Sequence, residues 1–162
     1  MSKTTPLQTL FDTLPQTGRV DWIGVRPRRG EPMQALEHVA IAPGVGLTGD
    51  RFNGRPDSRR QVTLIQAEHL PVIAACVHWE VLDPALLRRN LVVSGLNLLA
   101  LKGKTFRVGG VLLEYTGLCH PCSKMETLMG PGGYNAMRGH GGITTRVLDA
   151  GEVTLGDAVR AC

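Results

Sequence analysis

A mainly β, barrel-like domain with a few peripheral helices is the fold this sequence predicts. Three observations carry that expectation. From Arg19 onward the apolar runs are short, rich in Val, Ile and Leu, and broken by glycine. Many such runs lie at close spacing within one domain's length, which suits a closed or partly closed barrel, although periodicity alone fits a sandwich as well. Helical periodicity is confined to a few short stretches. Apolar residues make up 43% of the 162 residues, enough to bury one core. A helical extension over residues 1–18 is therefore expected to precede one domain over residues 19–162.

Taken in order, Leu7, Leu10, Phe11 and Leu14 recur at helical spacing and predict a short amphipathic helix, ended by Pro15 and Gly18. Strands are expected at Arg19–Val25, Leu36–Ile41, Gln61–Gln66, Asn90–Ser94, Thr105–Val108, Val111–Tyr115, Ile143–Leu148 and Glu152–Leu155. Gly109-Gly110 reads as a two-residue hairpin turn, and Ala150-Gly151 as a second tight connection. Ala67–Cys76 is a helix candidate, with Pro71 near its start. Asp83-Pro84 has the form of an N-cap followed by a first-turn proline. Ser123 could cap a helix through Met129, with Glu126 completing a capping box. The stretch Gly130–Gly142 holds six glycines and is expected to be an irregular loop.

Composition narrows the function. The formal charge is +4, from 18 Lys+Arg against 14 Asp+Glu, with clusters at Arg26–Arg28–Arg29, Arg51–Arg55–Arg59–Arg60 and Arg88–Arg89. A nucleic-acid binder would pair such an excess with aromatic side chains for stacking, and only 4% of residues are aromatic, so no nucleic-acid partner is expected. A small anionic ligand such as a phosphate suits a modest arginine excess better. No apolar run is long enough to span a membrane, and the first residues lack the pattern of a secretory signal. A cytoplasmic protein is expected, with Cys76, Cys119, Cys122 and Cys162 as free thiols.

The sharpest local feature is Leu118-Cys119-His120-Pro121-Cys122-Ser123-Lys124. A cysteine just before a helix N-terminus lies in a positive potential that favours thiolate over thiol, and Lys124 adds charge nearby. Three readings compete with plain buried cysteines. A thioredoxin-like redox pair lacks its βαβ surroundings. Half a structural zinc site lacks a second pair, with His38, His69, His140 and Cys162 scattered. The third is a reactive thiolate at Cys122, supported or resolved by Cys119. Gly46–Phe52, with its Asp50-Arg51 pair, suggests a tight loop exposing Arg51. Arg88-Arg89-Asn90, at the entrance to a strand, can present guanidinium groups to a pocket. In Arg138–Ile143 the glycines permit close approach of backbone to a ligand, and His140 is a candidate proton donor.

In this order and spacing, Gly46–Phe52, Arg60–Ile65, Arg88–Val93, Leu118–Glu126 and Gly139–Val147 with Gly156-Asp157 resemble the MOSC family, named for the C-terminal domain of molybdenum cofactor sulfurase. The resemblance spans about residues 20 to 160 and is strongest toward small standalone bacterial members. It implies a β-barrel-like fold and a molybdopterin-type cofactor, or sulfur transfer toward one. In relatives such as the mitochondrial amidoxime-reducing component a cysteine ligates molybdenum, and Cys122 matches that position. Arg88 matches the cofactor-binding arginine of the Arg-x-Asn motif that ends at Asn90, and Arg51 that of the Asp-Arg pair. Arg60 and Lys124 fall within the matching segments and complete the candidate cofactor-binding set. The chain has no room for the pyridoxal phosphate domain of larger relatives, and no pyridoxal phosphate lysine is evident.

Three functions follow as expectations. One is a molybdenum enzyme, metal held by Cys122, that reduces small N-hydroxylated substrates with electrons from a partner reductase. Another is a sulfur carrier that takes a persulfide on Cys122 from a cysteine desulfurase. The last is a non-catalytic module for an anionic ligand, in which the arginines matter and the cysteines do not.

Overall fold

The computed structural model describes residues 3–162. Helix α1 (Pro6–Asp12) is capped by Thr5, whose hydroxyl accepts from the Gln8 N–H, and Pro6 opens it where a missing N–H costs nothing. Its amphipathic pattern does not earn a core position. Leu7, Leu10 and Phe11 face solvent, and only Leu14, beyond the helix, packs on the core. Asp12 is held by Lys104 at 2.7 Å.

Strands β1 (Gly18–Val25), β2 (Gln34–Leu36), β3 (His38–Ala42), β4 (Gly46–Leu47) and β5 (Val62–Gln66) follow. Helix α2 (His69–Cys76) starts two residues later than the apolar pattern suggested, with Pro71 in its first turn. A 3-10 turn at Pro84–Leu87 is capped by Asp83, whose carboxylate accepts from Ala85 N–H at 2.9 Å. Then come β6 (Leu91–Ser94), a second 3-10 turn (Leu98–Leu101), β7 (Thr105–Val108) and β8 (Val111–Leu118). Gly109-Gly110 joins β7 to β8, with Val108 facing Val111. Helices α3 (Ser123–Met129) and α4 (Gly133–Met137) precede β9 (Ile143–Asp149), β10 (Gly151–Thr154) and β11 (Ala158–Ala161).

Seven strands close a barrel in the order β1, β11, β7, β8, β9, β5, β6 and back to β1. All neighbours are antiparallel except β5 and β6, whose parallel pairing requires the long crossover through α2 and the first 3-10 turn. Strand β2 extends the sheet from β1, and β10, β3 and β4 form a separate small sheet. The barrel interior is filled by side chains such as Ile23, Leu64, Leu91, Phe106, Leu113 and Val159, so it is a core and not a channel. A second core lies under the helices, around Ile65, Ile73, Leu87, Val92, Met125 and Met137. Strand β5 is buried along its whole length because Leu64 serves the first core and Ile65 the second.

Several local expectations are corrected. The glycine-rich stretch Gly130–Gly142 contains α4, because Ala136 and Met137 find a buried place beside Met125 and Met129. Cys122, not Ser123, occupies the N-cap of α3 and makes no side-chain cap bond. Glu126 does not close a capping box; its carboxylate accepts from the N–H groups of Gly132 and Tyr134 at 2.8 and 2.9 Å and ties α3 to α4. Ala150 turns the chain out of the barrel into the small sheet, so that tight connection joins two sheets. Strands β2, β4 and β11 carry two to four residues each, too few for a periodic signal.

Candidate functional site

One end of the barrel carries a cavity of about 600 Å³ lined by Arg26, Arg51, Arg60, Arg88, Arg89 and Lys124, with Asp50 as the lone carboxylate and Cys122 on its wall. Its walls come from five separate chain segments, each fixed by backbone bonds. At the end of β1, the Arg26 N–H donates to Asp50 at 2.8 Å, and the Arg51 N–H returns to the Arg26 carbonyl at 2.8 Å. That clasp presents Arg26 and Arg51 side by side and spends Asp50 on a backbone partner. Gln61 organises the Arg60 loop: its amide N–H groups donate to the Pro56 and Ser58 carbonyls at 2.8 Å each, and its oxygen accepts from Gly44.

Asn90 lines the cavity but has its amide engaged elsewhere. Its oxygen accepts from the Thr63 N–H and lies 3.2 Å from the Thr63 hydroxyl, and its nitrogen donates to the Gly24 carbonyl, locking β1, β5 and β6 together. Arg88 stands in the left-handed region at φ 61°, ψ 27°. For a residue with a Cβ that conformation costs about 1–2 kcal/mol, and such strain collects where side chains are held for function.

The cations crowd one another. Burial, and then the guanidinium groups of Arg88 and Arg51, hold Arg26 below the ordinary arginine value. Arg88 first, then some loss of hydration and Arg26, lower the exposed Lys124, while Cys122 pulls the other way. Arg26 Nη1 is buried with no hydrogen-bond partner. Positive charge without matching carboxylates, plus an unpaired guanidinium nitrogen, is the donor set for a bound anion.

Arg89 is buried, and its guanidinium is a strut. It donates to the carbonyls of Gly141 at 2.7 Å, Leu87 at 2.8 Å and Cys119 at 3.3 Å, binding the Cys-x-x-Cys segment to the loop before β9. Burial lowers its pKa, with the nearby cysteines opposing. No lysine can reproduce this fork. Replacing Arg89 with Met should leave three carbonyls without a donor and cost about 2–3 kcal/mol, read by urea unfolding. Full retention of stability would show that the strut is dispensable.

Of the residues singled out from sequence, Cys122, Arg51, Arg60, Arg88, Asn90 and Lys124 all line this one cavity. Cys119 and His140 do not. Cys119 is buried and lines a smaller, mainly apolar cavity of about 160 Å³, and His140 packs against His69 with ring centroids 4.8 Å apart. The Cys-x-x-Cys segment thus stands between two cavities, residues 118–121 facing one and Cys122 the other. The sequence placed Arg26 only within a basic cluster, and Arg89 beside Arg88 as a guanidinium facing a pocket, not as a strut. The signal available was position: Arg26 directly follows β1 and Arg89 lies just before β6, both at the same end of the barrel.

Among the described residues no helix is long and apolar enough to cross a membrane. No protein of curated function matches this sequence. Among solved structures, the chain is similar to the YuaD protein from Bacillus subtilis, with TM-score 0.79 and 20% identity over 92% of this chain and 98% of that one. It is also similar to YiiM from Escherichia coli, with TM-score 0.69 and 20% identity over 89% of this chain and 69% of that one. YiiM from Geobacillus stearothermophilus gives TM-score 0.69 and 17% identity over 90% and 75%. At these identities the likeness is one of fold. The sequence itself matches the MOSC domain over residues 29–160. With that match across most of its length and the seven-stranded barrel that goes with it, the chain belongs to the MOSC domain family.

Proposed function

We propose that the cationic cavity holds a molybdenum cofactor, with its phosphate among the arginines and its metal on the Cys122 thiolate, and that the protein reduces small N-hydroxylated substrates. The observation that carries this reading is the convergence of six cations and one exposed cysteine on a single cavity. The donor set fits such a group. Among the described residues no three His, Cys, Asp or Glu side chains converge to hold a bare ion. Cys122 offers one soft donor, so a metal bound there would have to bring its other ligands with it, as a dithiolene cofactor does. The unpaired Arg26 Nη1 is the kind of buried donor that an anionic oxygen satisfies.

When bound, the cofactor supplies two-electron oxygen-atom chemistry. In the overall reaction the substrate N–O bond breaks, an N–H bond forms and the oxygen leaves as water, with two electrons from a partner reductase and two protons from solvent. The chain's own contributions are binding and orientation. Arg51, Arg60 and Arg88 neutralise and align the phosphate, Arg26 satisfies a further oxygen, and Lys124 keeps positive charge beside Cys122.

Molybdenum and pterin content, measured for wild type and Cys122→Ala made in a cofactor-competent host, tests this. Near-stoichiometric molybdenum in wild type, lost in the variant, is the expected result. Absence of both metal and pterin from wild type, while control molybdoproteins of that host are loaded, would overturn it. The exposure of Cys122 at the cavity wall favours one second reading, a persulfide carrier served by a cysteine desulfurase. In that case incubation with a desulfurase adds sulfur to wild type and not to Cys122→Ala, by intact-mass measurement.

A further inference from the structure

The apolar cavity on the far side of the Cys-x-x-Cys segment has the opposite character to the cationic one. Leu98, Leu99, Leu118, Pro121 and Ile143 line it, together with His69. It is about 160 Å³ in volume. An apolar cavity of about 150 Å³ accepts a single benzene ring. Leu99 and Leu118 are 46% and 47% exposed at its rim, so apolar surface continues to the opening.

Gln66, His69 and Leu99 are shared with an adjoining cleft whose charged residue is Glu68. The Glu68 carboxylate is fixed in place, accepting from Gln66 Nε2 at 2.6 Å and from the Gly95 N–H at 2.8 Å. Burial pushes it up, but the Gln66 and Gly95 bonds, its own backbone N–H and the nearby His69 together hold it below the usual carboxylate range. Two donors leave a carboxylate with acceptor capacity for a ligand. No lysine or arginine among the described residues lines either space. Burial and the neighbouring His140 lower His69 against the pull of the Glu68 carboxylate, and so disfavour a competing charge on the imidazole. His140 Nδ1 is buried without a partner at the edge of this region.

We propose that these two joined spaces form a second binding site, for a single-ring organic ammonium ion whose ring fills the apolar cavity and whose charged nitrogen meets Glu68. The site is independent of the cofactor reading. It shares no lining residue with the cationic cavity. A ligand there would press on Leu118–Pro121 and so on the segment that carries Cys122.

The test is a titration of the purified full chain with benzylamine, and with benzyl alcohol as its uncharged counterpart, followed by backbone amide NMR. Wild type should show saturable changes centred on Leu98–Leu99 and Gly139–Ile143. Glu68→Gln should weaken benzylammonium about tenfold and leave benzyl alcohol unchanged. Leu99→Trp, at a half-exposed rim position, should block both. The charge-reversed pair Arg51→Glu/Arg88→Glu should bind benzylamine like wild type, which separates this site from the cofactor pocket. Changes that do not saturate, that centre on Arg51–Arg60, or benzylammonium binding that persists unaltered in either Glu68→Gln or Leu99→Trp would overturn the proposal.

Discussion

Exchanging Arg51 and Arg88 for glutamate is expected to abolish retention of any phosphate-bearing ligand while leaving the barrel folded. Both side chains line the cationic cavity, and neither makes a salt bridge within the chain among the described residues. A hydrogen bond from a guanidinium to a phosphate is worth about 1.5–3 kcal/mol, so losing two costs about 3–6 kcal/mol, or two to four decades in affinity. Reversal adds repulsion to that loss. The measurement is cofactor content after purification, backed by phosphate affinity at two salt concentrations. Wild type should weaken with salt and the double variant should not respond. Arg88→Gly separates charge from strain. Glycine accepts the left-handed backbone at that position without penalty, so this variant should lose affinity yet unfold no more easily than wild type. Undiminished cofactor content in the double glutamate variant would show that these arginines are surface decoration.

The second large effect concerns a residue with no side chain. Gly142 has φ +88°, and a Cβ there would collide with the Leu64 carbonyl of β5. Its own carbonyl accepts from the Cys119 N–H at 2.8 Å. Gly142→Ala should therefore cost about 3–5 kcal/mol, from backbone strain and from displacement of a buried strand. For a chain of this size that lowers Tm by roughly 8–15 °C. Because the same residue braces the Cys-x-x-Cys segment, cofactor content should fall with stability in this variant. A thermal scan that finds Tm unchanged would remove Gly142 from the set of positions that shape the site.

Much of the barrel was legible because its strands are short apolar runs rich in Val, Ile and Leu, set off by glycine and other turn residues. Residues 62–66 read as a strand from β-branched content alone, and Gly109-Gly110 as a turn from chemistry that permits little else. Strand β11 was not legible. Four residues with two alanines carry no period, and what makes them a strand is β7 on one side and β1 on the other. Helix α4 was hidden for a related reason: its glycine-rich flanks have poor helix propensity, and burial of Ala136 and Met137 overrides it. For the site, the residues of the cavity wall were picked out by the order and spacing of several motifs together, since any one of these arginines taken alone fits solvated surface charge as well. The division between Cys119 and Cys122 was beyond reach. Position before a helix singled out Cys122, but Cys119 was expected to serve the same site, and only the course of the chain after β8 sends it inward and leaves Cys122 exposed. Asn90 shows the converse, a motif residue whose polar groups serve the barrel.

The barrel closes where Gly18 and Arg19 of β1 meet Val159 and Ala158 of β11, about 140 residues further along the sequence. During biosynthesis the first strand must therefore wait, its edge incomplete, until the other six barrel strands have left the ribosome. Non-local closure of this kind is slow and exposes sticky edges meanwhile. A truncation that removes β11 would free two edges at once, on β1 and β7. The practical outcome is that a chain cut short before β11 should be insoluble rather than a slightly shortened working protein.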